Sequence, residues 1–273
     1  MTDSSNGRHL IRDPSSGNLH LVMRTAGDSV YYSQSSDGGG SWSSPYLLGS
    51  GRYPTVGLAW SAIGGPYICV AYKRPDPEVG SRLCYRWFDP STGVWQPSVD
   101  ISTSTNPGPP SLVVSGSRVY VAFKSGAAVL CSNFEYNTPG SYATQSIDAT
   151  GGPSLPCLAV DGAGNVHAAW RRTTGANANE IYYSKRVSGV WQTPTKVYSS
   201  PGYASTMPFV ECYGESVFVV WSEAQTTPPN LTDVRRASKL LTGGSWLSFF
   251  VRQSSAVPSE SPTQAGQRLT TWA

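Results

Sequence analysis

Charge is scarce in this chain. Asp, Glu, Lys and Arg together make up 14% of its 273 residues, and the formal net charge at pH 7 is +3. The basic residues are scattered rather than run together, which speaks against a nucleic-acid partner. Long apolar runs are missing, so nothing in the sequence reads as a membrane-spanning helix and no membrane partner is expected. Residues 1–7 are polar and hold no signal-peptide core, which leaves the compartment open. Only three histidines are present. Cys/His zinc spacing, a phosphate-cradling glycine loop and a supported Ser-His-Asp constellation are all absent, so no metal and no cofactor is expected. His20 and His167 occupy matching places in Leu19-His20-Leu21 and Val166-His167-Ala168, and one histidine per repeat position reads as structural. The five cysteines are an odd number without close pairs, which argues against a disulfide framework. They read as buried thiols in apolar strands; a Cys69–Cys84 bridge is the alternative.

What the chain has in quantity is turn formers and large aromatics: 28 Gly, 21 Pro, 9 Trp and 15 Tyr. That profile suits many short strands joined by tight turns. No segment sustains a helical period. Two ladders recur instead. Trp42, Trp95, Tyr142, Trp191 and Trp246 open the last strand of successive units at spacings of 47 to 55 residues. Met23, Tyr72, Phe123, Trp170, Trp221 and Trp272 end an earlier apolar strand at spacings of 47 to 51. Each unit reads as four strands. In the fourth they are Leu155–Val160, Val166–Trp170, Ile181–Lys185 and Thr193–Val197, with Val166, Ala168 and Trp170 on one face by alternation.

Units of about 50 residues with four strands each are propeller blades. A lone unit of this kind has two apolar faces and open edges, and packing units side by side buries both. The expected fold is an all-β, six-bladed propeller of four-stranded antiparallel blades, formed as one domain. The units are residues 7–50, 51–102, 103–150, 151–200, 201–253 and a half-unit, 254–273. That last blade is incomplete, and the open edge after Trp272 is expected to support self-association. A five-bladed ring with a C-terminal tail is the alternative. Large aromatics are expected to fill wide gaps between blades, and small residues such as Gly57 and Ala159 the narrow ones.

One stretch carries a resemblance. Ser35-Ser36-Asp37-Gly38-Gly39-Gly40-Ser41-Trp42 reads Ser-x-Asp-x-Gly-x-x-Trp. Asp37 is suited to accept hydrogen bonds from turn amides, the glycines supply backbone angles that other residues resist, and Trp42 is suited to pin the turn. The stretch resembles the Asp-box (BNR repeat) of the sialidase-like β-propellers. The resemblance implies a structural role for Ser35, Asp37, Gly39 and Trp42, because Asp-boxes lie away from sialidase active sites.

The opposite strand ends hold the candidate binding residues. Arg24, Lys73, Lys124 and Arg171 follow the second-strand landmark in four units, and Arg172 adjoins one of them. Asp28, Glu78, Glu180 and Asp233 come near the start of the third strand. Cross-hairpin ion pairs on a solvated rim are one reading. A cation cluster suited to a carboxylated or sulfated sugar is the other. The sialidase resemblance also implies three arginines, a tyrosine–glutamate nucleophile pair and an aspartate acid/base. Arg52-Tyr53-Pro54 resembles that family's Arg-Ile-Pro element, and Glu223 is a rim carboxylate, but the full set does not assemble. The reading is therefore a non-catalytic binding module for a glycan. The alternatives are a sialidase-type glycosidase and a scaffold with no small-molecule ligand.

Overall fold

A computed structural model describes residues 7–62, 64–175, 178–198, 202–226 and 232–252. They form five antiparallel sheets, each built from consecutive strands in sequence order. Sheet 1 comprises Leu10–Arg12, Leu19–Arg24, Ser29–Ser35 and Tyr46–Ser50. Sheet 2 comprises Arg52–Ser61, Gly64–Asp76 and Gly80–Asp89, with its outer strand in two pieces, Val94–Trp95 and Val99–Asp100. Sheet 3 comprises Ser111–Ser115, Arg118–Ser125, Ala128–Glu135 and Ala143–Asp148. Sheet 4 comprises Ser154–Val160, Val166–Gly175 and Ala178–Val187, again with a divided outer strand, Val190–Trp191 and Thr195–Tyr198. Sheet 5 comprises Tyr203–Tyr213, Ser216–Gln225, Thr232–Leu240 and Gly243–Arg252. The described residues therefore hold five four-stranded sheets, the number of the five-bladed alternative. The half-unit 254–273, with Trp272 and the edge expected to self-associate, lies outside the described residues.

The described residues divide into two compact units, one within 7–126 with 130–146 and the other within 127–129 with 147–252. In the first, sheet 2 is buried on both faces. Val70, Tyr72 and Cys84 pack with Val22, Val30, Tyr32 and Leu48 of sheet 1. Their alternates Cys69, Ala71, Leu83 and Tyr85 pack with Leu112, Val121, Phe123 and Phe134 of sheet 3. Period-two alternation sends successive side chains to opposite faces, so an apolar run rather than an alternating one is required here. Gly57 shows how closely the first strands of sheets 2 and 3 approach: a Cβ there would lie 2.5 Å from Leu112 Cδ2. In the second unit, Cys157, Ala159, Ala169, Ile181 and Tyr183 of sheet 4 pack with Val210, Val219 and Trp221 of sheet 5.

The two aromatic ladders behave differently. Tyr72, Phe123, Trp170 and Trp221 are fully buried. Of the outer ladder, Trp95 is buried against Tyr32 and Tyr46, and Trp246 is half-buried against Tyr183. Trp42 departs from the expectation: it is 40% exposed and precedes its strand rather than opening it. All five cysteines are thiols. Burial pushes the thiols of Cys69 and Cys84 up to about 12, which leaves them inert as nucleophiles.

Three inner strands share a feature. Sheets 2, 4 and 5 each carry a register shift at their first strand, between Arg52 and Thr55, Ser154 and Cys157, and Thr206 and Phe209. At each shift a non-glycine residue has left-handed backbone: Tyr53 (φ 55°), Leu155 (φ 52°) and Met207 (φ 51°). A proline follows each one. Such β-bulges bend a strand and re-aim its first side chain, at a cost of about 1–3 kcal/mol per strained residue.

Candidate functional site

The bulges set the geometry of the strand ends where the basic residues lie. In the first unit, Arg52 opens sheet 2 and pairs in register with Lys73 at the end of the next strand. Asp28 lies in the turn between the second and third strands of sheet 1. Its carboxylate accepts from two arginines, Arg24 Nη1 at 3.1 Å and Arg52 Nε at 2.7 Å, through different oxygens. Lys73 Nζ donates to Asn106 Oδ1 at 2.8 Å. Burial, then the neighbouring Arg52 charge, lowers the proton affinity of the Lys73 amine. Two arginines thus share one carboxylate, with Lys73 beside Arg52 in register, and half of the Arg52 side chain stays exposed.

Of the adjacent ion pairs, Arg82–Asp76 at 2.7 Å crosses its own hairpin, whereas Arg74 reaches beyond it to Asp100 at 2.9 Å; Glu78 takes no part in either pair. Lys124 is exposed at the end of its strand in sheet 3.

In the second unit the corresponding cations are held inside the structure. Arg171 Nε donates to Ser154 Oγ at 3.0 Å. Arg172 is opposite Glu180 in register, yet its guanidinium turns to Asp148 at 2.7 Å and covers the Tyr182 ring at 3.7 Å. The same Asp148 oxygen accepts from Trp170 Nε1 at 2.7 Å. Glu180 instead holds Lys196. Glu223 is fully buried: Oε1 accepts from Trp221 Nε1 at 2.8 Å and Oε2 from Arg235 Nε at 2.9 Å. Both oxygens of this carboxylate are committed, and the pair is enclosed further by Tyr198, which lies 4.4 Å beneath the Arg235 guanidinium. Asp233 is opposite Glu223 in register and is also buried.

Arg52 and Glu223 belong to different units. Among the described residues, no group of three or more His, Cys, Asp or Glu is placed to hold a metal ion. The tripeptide that resembles Arg-Ile-Pro recurs as Ser154-Leu155-Pro156 and Thr206-Met207-Pro208, so it is one instance of a repeated bulge, and sheet 2 carries arginine at its first position where sheets 4 and 5 carry Ser154 and Thr206. The triplicated x-Pro was the sequence signal for these bulges.

The Ser35–Trp42 turn closes on itself. Asp37 Oδ1 accepts from Ser35 Oγ at 2.8 Å and from Ser41 N at 2.8 Å, and Oδ2 accepts from Ser41 Oγ at 2.6 Å. Ser35 Oγ in turn accepts from Gly39 N at 2.8 Å. These bonds, the Ser41 hydroxyl foremost, hold the Asp37 carboxyl well below the usual carboxylate range. Gly38 and Gly39 take φ of 73° and 101°, angles that L side chains resist.

Two buried histidines mark equivalent positions of sheets 1 and 4. His167 Nδ1 lies 2.7 Å from Tyr183 Oη and Nε2 lies 3.1 Å from Asp161 Oδ2, which also takes Lys185 at 3.2 Å. His20 Nδ1 lies 2.8 Å from Tyr32 Oη, which donates onward to Gln34 Oε1 at 3.1 Å. His20 Nε2 is buried and has no hydrogen-bond partner among the described residues.

No protein-family model and no curated protein matches the chain. Solved structures do. A PL25 ulvan lyase bound to a GlcA(1-4)Rha3S unit matches with TM-score 0.65 and 10% identity, covering 95% of this chain and 74% of that one. An α-L-arabinanase from Penicillium chrysogenum, in complex with arabinobiose, matches with TM-score 0.58 and 11% identity, covering 88% of this chain and 79% of that one. A protein of unknown function from Dyadobacter fermentans matches with TM-score 0.57 and 13% identity, covering 89% and 82%. At such identities the likeness shows the fold alone: an all-β, five-bladed β-propeller-like arrangement of four-stranded sheets.

Proposed function

We propose that this chain is a non-catalytic carbohydrate-binding module that takes an acidic saccharide at Arg24, Arg52 and Lys73. The observation that carries the reading is the gathering of basic side chains at that strand end. Arg24 and Arg52 meet at one carboxylate, Asp28, and Arg52 and Lys73 are like charges placed side by side in register. A carboxylate or sulfate arriving between them relieves that repulsion and makes charge-assisted hydrogen bonds. The Arg52 side chain is half exposed, so a ligand can reach its guanidinium from solvent. The ulvan lyase and the arabinanase are both carbohydrate-active, and the saccharide in the former carries a uronate and a sulfate. Absence of catalysis is supported by Glu223, whose oxygens are both occupied by Trp221 and Arg235 and so are poorly placed to exchange a proton with substrate. Lys124, Arg171 and Arg172, the remaining basic residues of the rim, are peripheral in this reading. The Ser35–Trp42 turn is read as an Asp-box, with Asp37 a structural residue.

Titration calorimetry with a sulfated, uronate-containing oligosaccharide tests the proposal. Binding is expected to weaken at least tenfold in Arg52→Ala and to fall steeply with salt. Chromatography of the saccharide after prolonged incubation is expected to show it intact. Equal binding by Arg52→Ala overturns the site, and cleavage of the saccharide, or turnover of a fluorogenic sialoside, overturns the non-catalytic reading in favour of a glycosidase.

A further inference from the structure

At the other ends of the strands of sheet 1 lies a cleft of about 450 Å³, lined by Tyr32, Gln34, Ser36, Ser41, Trp42 and Ser43. Its volume is within the roughly 300–1,000 Å³ range of small-molecule sites. Its chemistry is distinctive. Trp42 presents an indole that is 40% exposed, although the matching Trp95 is buried on its neighbours. Gln34 is oriented from behind. His20 Nδ1 lies 2.8 Å from Tyr32 Oη, and Tyr32 Oη donates to Gln34 Oε1 at 3.1 Å. With the Gln34 oxygen held by the tyrosine, its amide NH₂ is left as a donor for the cleft. The serines add both senses of hydrogen bond. Ser43 Oγ accepts from Gln34 N at 3.0 Å and lies 3.4 Å from Ser33 Oγ, whose own proton goes to Ser43 O, so it keeps a lone pair to accept. Ser41 Oγ spends its proton on Asp37 and keeps lone pairs to accept. Ser36 is exposed with its hydroxyl uncommitted among the described residues.

We infer that this cleft is a second saccharide site, for a neutral pyranose stacked on Trp42. An indole face attracts the polarised C–H bonds of one sugar face, and the ring edge offers its N–H. Fixed amide and hydroxyl groups around it match the alternating hydroxyls of a pyranose. The site takes a neutral rather than an acidic sugar because Asp37, held ionised by its own turn, borders the cleft and repels anions. The inference does not depend on the cationic site at Arg52, which serves the opposite strand ends.

Saturation-transfer NMR on the whole chain, with the methyl pyranosides of glucose, galactose, mannose, xylose, rhamnose and fucose as probes, tests it. At least one is expected to bind in the millimolar range, tenfold or more weaker in Trp42→Ala, several-fold weaker in Gln34→Ala, and partly retained in Trp42→Phe. Methyl glucuronide is expected to bind more weakly at this cleft than its neutral counterpart. Arg52→Ala is expected to leave neutral-sugar binding unchanged, which separates failure here from failure of the acidic site. If Trp42→Ala does not fold, the 5-fluorotryptophan resonance of residue 42, assigned with Trp42→Phe, must shift on titration. No transfer to any neutral probe, unchanged binding in folded Trp42→Ala, or an unmoved resonance overturns the inference.

Discussion

His20 and His167 stand at the same place in two sheets and are wired in opposite senses. In sheet 4 the imidazole donates from Nε2 to Asp161 and accepts at Nδ1 from Tyr183, so both ring nitrogens are satisfied. In sheet 1 the tyrosine spends its proton on Gln34, so His20 Nδ1 donates and Nε2 is left as a bare, buried lone pair. Burial lowers the proton affinity of both rings; Asp161 opposes this at His167, as Asp13 does at His20. The sign follows from linkage. The folded chain binds fewer protons than the unfolded chain near pH 6.5, the ordinary histidine value, so the histidine contribution is intact above about 6.5 and lost as pH falls through the folded values. Asp13, Asp37 and Asp161, all held below the ordinary carboxylate value, add a further loss below about pH 4. Calorimetric melting is therefore expected to show falling stability from pH 7 to 5, with a shallower fall in His20→Gln. An identical slope in that variant contradicts the account. The pairing of the two histidines was legible in the sequence as a repeat position. Their different tautomers were not, because they depend on whether Gln34 or Lys185 stands opposite in register.

At the scale of strands and turns, packing distance decides what each position tolerates. Gly57→Ala places a methyl 2.5 Å from Leu112 Cδ2 and 2.9 Å from Val114 Cγ2, in a layer where Leu112 is itself fully buried. Overpacking of that kind costs about 1–3 kcal/mol. A urea midpoint unchanged from wild type would show that sheets 2 and 3 are not packed as described. The smallness required at Gly57 was legible, as were the strands, since alternation and turn chemistry are local signals. The bulges at Tyr53-Pro54, Leu155-Pro156 and Met207-Pro208 are less legible than the strands. A proline at a strand start is compatible with an ordinary strand, and only the register shift distinguishes the two. Trp42 was misplaced for a related reason. The ladder Trp42, Trp95, Trp191, Trp246 fixes position along the chain, but burial of an outer aromatic depends on the residues that cover it. Trp95 has Tyr32, Tyr46 and Phe88 against it, whereas Trp42 borders a cleft.

For the whole molecule, two periodic ladders were enough to reach an all-β repeat of four-stranded sheets, and the described residues count five of them. The ligand is harder to read from sequence, because side-chain partners are not local in the chain. Arg172 pairs with Asp148, Arg171 with Ser154 and Arg74 with Asp100. Arg24, Arg52 and Lys73 are grouped by the register of Arg52 with Lys73 and by the reach of Asp28 across from sheet 1. A crystal structure of the chain soaked with a sulfated uronate disaccharide measures this directly. The account predicts the intact disaccharide with an acidic group within about 3 Å of both the Arg52 guanidinium and Lys73 Nζ. An empty Arg52–Lys73 end at saturating ligand, or cleaved saccharide in its place, would contradict it.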